Sequence, residues 1–195
     1  MQEKKIIFIG NSIINGFPYD RNEEFVSLFR EMSGNDVINK GINGDTVRGV
    51  INRFAYDVIS YTPDQVVILV GTNEFIYGEE LPRECMGNIR NLIKTSIEAG
   101  IEPIILTPLQ VEPQMAETRW MVCDDVDYET VNEQITELTN LIKEYGTENS
   151  IKVIDTNCAY SEYVERVGAL GAFYDGIHPT RDGHKFLAEM MYKLL

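Results

Sequence analysis

Histidine is nearly absent from this 195-residue chain: only His178 and His184 occur, six positions apart near the carboxyl end. No HExxH motif accompanies them, and residues six apart do not share a helical face, so no metal site is expected. Cysteine is scarce too. Cys85, Cys123 and Cys158 are odd in number, far apart and form no CxxC, which argues against a zinc knuckle or a disulfide framework. The expectation is reduced thiols acting as buried filler in a cytoplasmic protein. Positive charge is in deficit, with 17 Lys and Arg against 31 Asp and Glu, a formal net of −14. Such a surface repels phosphate backbones and anionic headgroups, which excludes nucleic acid and docking of a basic face on a membrane as expected partners.

Long apolar runs are missing as well. The opening MQEKKIIFIG is too short in apolar residues for the core of a signal peptide, and no stretch approaches the ~20 residues of a membrane span. Neither GxGxxG nor GxxxxGK[ST] occurs, which removes the common phosphate-cradling loops. No repeat, low-complexity tract or linker interrupts the chain, so a single domain over 1–195 is expected.

What the chain does have is alternation. Short β-branched runs at 5–9, 36–40, 65–70, 102–107 and 151–155 read as strands covered on both faces. Between them, Val47, Val50, Ile51, Phe54 and Val58 recur at helical spacing, as do Val131, Ile135, Leu138, Ile142 and Tyr145. Gly34, Gly100 and Gly146 are placed to end helices in a left-handed residue, and a last helix is expected from about Asp182 to Leu195. The pattern predicts an α/β fold: a three-layer α/β/α sandwich on a five-stranded parallel sheet, in flavodoxin-like order.

In such sheets ligands bind beyond the carboxyl ends of the strands. The residues there are Ser12 in GNSIING, Gly41 and Gly44 in GINGDT, Asn73 in GTNE, and Asp175 and His178 in DGIH. A serine hydroxyl becomes a good nucleophile when an imidazole takes its proton, and a carboxylate on the far nitrogen fixes the tautomer. Asp175 and His178 supply that pair from one turn, which Pro179 stiffens. The oxyanion formed on attack at an ester carbonyl needs donors, and the amides of Ser12 and Gly44 and the side chain of Asn73 are the candidates. Gly41 is read as a turn glycine.

These four motifs, in this order over residues 5 to about 190, resemble the SGNH hydrolases, also called GDSL-type lipases or acylhydrolases. The resemblance implies an α/β/α serine esterase that hydrolyses carboxylic esters without a metal or other cofactor. Its small-molecule substrate is open between a short-chain ester, an acetylated sugar and a lysophospholipid, the acidic surface favouring small soluble esters. It also assigns the roles: Ser12, Gly44, Asn73 and His178 as the four name-giving residues, with Asp175 as the third triad member. Two positions depart from the family pattern. Asn11 stands where Asp is usual, keeping a short hydrogen-bonding side chain without its charge. Glu74 follows Asn73 where Asp is usual, keeping the charge on a longer stem.

Competing expectations belong beside this one. Ser12 could cap a helix, and the first loop could serve a flavin- or nucleotide-binding module of the same sheet order. His184, near the amino end of the last helix, reads as a neutral surface or packing residue. The 108–126 segment, with Met115, Trp120, Met121 and Cys123, is long and apolar and reads as a lid or acyl-chain wall. Thr107, just before it, and Trp120 within it are the candidate substrate contacts, the alternative for Trp120 being packing on the protein's own surface or at an interface in a homo-oligomer.

Overall fold

The computed structural model describes residues 3–120 and 125–195. Strand β1 (Lys5–Gly10) leads through α1 (Ser12–Asn15) and α2 (Phe25–Ser33) to β2 (Asp36–Gly41). Helix α3 (Val47–Asp57) precedes β3 (Gln65–Leu69), and α4 (Thr72–Ile76) and α5 (Pro82–Glu98) precede β4 (Glu102–Leu106). Then come α6 (Pro113–Arg119), α7 (Tyr128–Asn149), β5 (Lys152–Ile154), α8 (Thr156–Val167), α9 (Ala169–Ala172) and α10 (Arg181–Leu194). The sheet is wholly parallel and ordered β2-β1-β3-β4-β5, the expected flavodoxin-like arrangement.

Side chains alternate across each strand, and on β1, β3 and β4 both faces are buried. Ile7, Ile9, Val66, Ile68 and Ile105 join one apolar layer with residues of α3, α5 and α7. Ile6, Phe8, Val67, Leu69, Ile104 and Leu106 join the other with residues of α2, α8 and α10. That is why the strands read as continuous apolar runs and not as alternating ones.

Two expectations are corrected. Gly146 does not end a helix: α7 continues to Asn149 and closes on Ser150 in the left-handed region, at φ 56°. Gly146 is instead a packing glycine, because a Cβ there would sit 2.4 Å from a Val153 methyl. Cys85 is buried as expected, but Cys158 is exposed on α8, while Cys123 and Met121 lie outside the described residues.

His184 is a packing residue, wholly buried in α10 between Phe25 and Tyr19. Its Nδ1 accepts the Phe25 N–H at 3.4 Å, which requires the neutral ring. Burial pushes its pKa down to about 4, against a smaller upward pull from the Phe17 backbone. An unfolded histidine titrates near 6.5, so His184 contributes stability above that pH, and the contribution is lost as pH falls through about 4. The expected size is up to roughly 3 kcal/mol. In urea titrations, the gap in stability between wild type and His184→Asn should narrow between pH 6.5 and 4; a constant gap would refute the assignment.

Candidate active site

Strand order reverses direction between β1 and β3, the point at which doubly wound sheets bind ligands. The ends of both strands are drawn together by glycine. A Cβ on Gly10 would lie 2.0 Å from the Leu69 carbonyl oxygen, so only glycine lets β1 close on β3 there. Gly41 does similar work, since a Cβ would meet the Asn15 amide at 2.1 Å; it is a close-approach glycine at the end of β2.

Asn11, not Ser12, caps α1. Its Oδ1 accepts the Ile13 N–H at 3.0 Å, so the neutral amide organises the loop without a charge. The Ser12 hydroxyl is thereby left free of capping, and its Oγ lies 2.8 Å from His178 Nε2, across 166 positions of sequence.

The turn that carries His178 is closed by the Tyr174 N–H, which donates to the His178 carbonyl at 2.8 Å. Inside it, Asp175 Oδ1 accepts the Ile177 and His178 amides at 3.0 and 2.8 Å, and Oδ2 lies 2.7 Å from His178 Nδ1. Burial alone would raise the Asp175 pKa, but the bonds from the His178 ring and the two amides outweigh it and hold the carboxyl below its usual value. A charged carboxylate can only accept, so the ring proton stays on Nδ1 and is donated to Asp175 Oδ2. Nε2 then accepts from the Ser12 hydroxyl, the tautomer that proton abstraction requires. Ser12, Asp175 and His178 are 6%, 3% and 1% exposed.

The segment after β4 packs on this turn. The Glu112 N–H donates to the Gly176 carbonyl at 2.7 Å, and Gly176, at φ 96°, leaves no room for a Cβ, which would meet the Ala116 amide at 2.4 Å. Residues 113–119 of the expected lid or acyl-chain wall form α6, whose C-cap Trp120 lies against the imidazole. The His178 ring touches both Trp120, 4.9 Å away by centroid, and Phe17, 4.7 Å away. Phe17 carries no motif signal and is found only in three dimensions.

Thr107 is placed elsewhere. It is fully buried, and its hydroxyl engages Asp155 at 3.1 Å and accepts the Asn157 N–H at 2.9 Å. It ties β4 to the start of α8, so its expected contact with substrate is corrected.

The candidate oxyanion donors are stitched to one another. The Ile42 N–H donates to the Gly10 carbonyl at 3.0 Å, which joins the second loop to the first. Asn73 Nδ2 donates to the Asp45 carbonyl at 2.9 Å, which joins the third loop to the second and leaves the amide's other N–H available. Gly44, at φ 74°, adopts the left-handed backbone this turn needs, with the Tyr77 hydroxyl 3.2 Å from where a Cβ would stand. The Ser12 amide opens α1, where first-turn amides have no intrahelical acceptor. Arg53, unremarked in the sequence, anchors the whole arrangement: it pairs with Asp45 at 2.6 Å and donates to the Gly10 and Lys40 carbonyls at 3.2 and 2.8 Å. No group of His, Cys, Asp and Glu among the described residues is arranged to hold a metal ion.

A doubly wound α/β sheet with serine, imidazole and carboxylate linked at its switch point defines a hydrolase of the SGNH type. The chain belongs to the GDSL-like lipase/acylhydrolase family, whose model matches residues 8–186. It is similar to an acetylxylan esterase of Geobacillus stearothermophilus, at 29% identity over 78% of this chain and 68% of that protein. An arylesterase of Vibrio mimicus is 21% identical over 96% of this chain and 86% of its own length. A putative lipolytic protein of the G-D-S-L family from Desulfitobacterium hafniense has the same fold, with a TM-score of 0.81, 22% identity and coverage of 99% and 100% of the two chains. The protein is an ester-hydrolysing enzyme. No helix among the described residues is long and apolar enough to cross a membrane.

Proposed function

We propose that the chain hydrolyses small soluble carboxylic esters, with an acetyl group as the preferred acyl part, through an acyl-enzyme on Ser12. Ser12 Oγ attacks the ester carbonyl while its proton passes to His178 Nε2. Asp175 holds the imidazole in register and stabilises the imidazolium. The carbonyl oxygen, now negative, is received by the amides of Ser12 and Gly44 and by Asn73 Nδ2. Collapse of the tetrahedral intermediate breaks the bond to the alcohol oxygen, which leaves with the proton from His178. Water then repeats the sequence on the acyl-serine and releases the carboxylic acid.

The observation that carries this reading is the continuous contact from Ser12 through His178 to Asp175, at 2.8 and 2.7 Å. The acyl preference rests on Phe17 and Trp120, which meet edge to face at 6.1 Å beside the imidazole and narrow the space around it. The similarity to an acetylxylan esterase supports an acetylated carbohydrate as the alcohol side. The cytoplasm is the compartment we propose, supported by the free thiols of Cys85 and Cys158.

A panel of p-nitrophenyl esters from acetyl to palmitoyl, with acetylated xylo-oligosaccharides, tests the reading. The acetyl esters should be hydrolysed fastest, and equally fast with EDTA present, since no step above uses a metal. Trp120→Ala should move the optimum toward longer chains by removing one wall. A palmitoyl optimum in the wild type would refute the acyl assignment, and loss of activity in EDTA would refute the metal-free route.

A further inference from the structure

Glu74, next to Asn73 in sequence, is buried, 1% exposed, and none of the steps above uses it. Its two oxygens serve different loops. Oε1 accepts the N–H of Val47, the first residue of α3, and Oε2 accepts the Gly71 N–H at 2.9 Å, just before α4. Amides at helix starts lack intrahelical acceptors, and an ordinary cap satisfies those of its own helix. Here one carboxylate satisfies two helices whose starts lie far apart in sequence. Val47 follows Gly44 by three residues, and Gly71 precedes Asn73 by two. The link therefore spans the two loops whose separation sets the width of the oxyanion hole.

Burial pushes the Glu74 carboxyl up to about 7, so keeping the anion in place near neutrality opposes folding. A group retained at that cost is more than filler. The Arg53–Asp45 pair and the bond from Asn73 to the Asp45 carbonyl hold the same two loops from another side. Neither of these replaces an acceptor for the Val47 amide.

We propose that Glu74 is a positioning residue that holds the loop presenting the Gly44 amide at a fixed spacing from the loop presenting the Asn73 side chain. The inference rests on the ester-hydrolysis reading, in which those two groups receive the developing negative charge.

Two variants cut the link from opposite ends. Glu74→Gln keeps the shape of the side chain but points an NH2 at an N–H. Val47→Pro leaves Glu74 untouched and removes the donor. Proline suits the first helical position, and Thr46, at φ −116° and ψ 170°, already has the extended backbone required before proline. Val47→Ala is the control, losing side-chain packing but keeping the N–H.

With p-nitrophenyl acetate at about pH 8, kcat should fall ~10–100-fold in Glu74→Gln and in Val47→Pro while KM stays within about threefold, because a displaced donor weakens the transition state and not substrate binding. Val47→Ala should keep kcat within about threefold of wild type, a split that a merely structural role would not produce. The double variant Glu74→Gln/Val47→Pro should lose no more than the worse single one, because each severs the same link between the two loops. A folded Val47→Pro with wild-type kcat overturns the proposal, and so does a double variant whose losses multiply. If circular dichroism shows Glu74→Gln unfolded, the contrast between Val47→Pro and Val47→Ala decides alone. Failure of the parent reading looks different: hydrolysis by the wild type would then not depend on Ser12 at all.

Discussion

Ser12→Ala should lower the turnover of p-nitrophenyl acetate by roughly 10⁴–10⁶-fold and abolish labelling by a fluorophosphonate probe, while the protein remains folded. The size follows from what the hydroxyl does. Without it no acyl-enzyme forms, and the imidazole has only water to activate. The proposed oxyanion donors survive the substitution, so some acceleration over water should persist. Folding should tolerate the change for a specific reason: Asn11, not Ser12, satisfies the start of α1. The variant loses one hydrogen bond, to His178, and keeps its cap. The melting temperature should therefore stay within a few degrees of wild type, since one such bond contributes about 1 kcal/mol. Wild-type turnover in a folded Ser12→Ala protein would sink the mechanism, and loss of activity together with loss of folding would fail to support it.

Much of this site was legible in the sequence because its parts sit immediately after strands whose own signal is strong. Runs such as QVVILV have both faces buried, and the loop beginning where such a run stops has a known position on the sheet edge. DGIH was legible for another reason: acid and base lie on one turn, so their contact is local. What was not legible depends on contacts between distant segments. Phe17 reaches His178 only because the chain after α1 folds back over the turn, and no spacing rule encodes that. Arg53 looks like an ordinary charge on an amphipathic helix until three strand ends and loops converge on it. Thr107 misled because it follows β4 directly, as the site residues follow their strands. Yet β4 lies one strand beyond the switch point, and its end is covered by the start of α8. Gly146 misled in the opposite direction. Its lack of a side chain serves packing against Val153, not a helix end.

The departures from the family pattern follow the same logic. Asn11 needs only an acceptor oxygen to cap α1, and an amide provides one. Glu74 needs reach: its carboxylate spans from Gly71 in its own loop to Val47 at the start of α3. Local motif and distant tether are thus carried by one residue, and only the first of them shows in a linear reading.

The two histidines, the scarcest ionisable groups in the chain, separate the chemistry from the packing around it. His178→Ala should cost roughly 10³–10⁶-fold in kcat, because Ser12 then has no base and the leaving alcohol no acid. Its cost in stability should be moderate, since Asp175 keeps its bonds from the Ile177 and His178 amides. His184→Ala should do the reverse. It empties a wholly buried site against Phe25 and Tyr19 and leaves the Phe25 N–H without its acceptor, so it should destabilise by about 2–4 kcal/mol with kcat changed less than about tenfold at a temperature where it is folded. Asp175→Asn completes the comparison. An amide cannot hold the proton on Nδ1 in the same way, so the tautomer facing Ser12 is lost and turnover should fall by up to ~10⁴-fold with little change in KM. Measured together by steady-state kinetics and urea denaturation, the three variants should divide into two that lose rate and one that loses stability. Equal kinetic losses from His178→Ala and His184→Ala would show that the wrong imidazole has been assigned as base, despite its 2.8 Å contact with the serine.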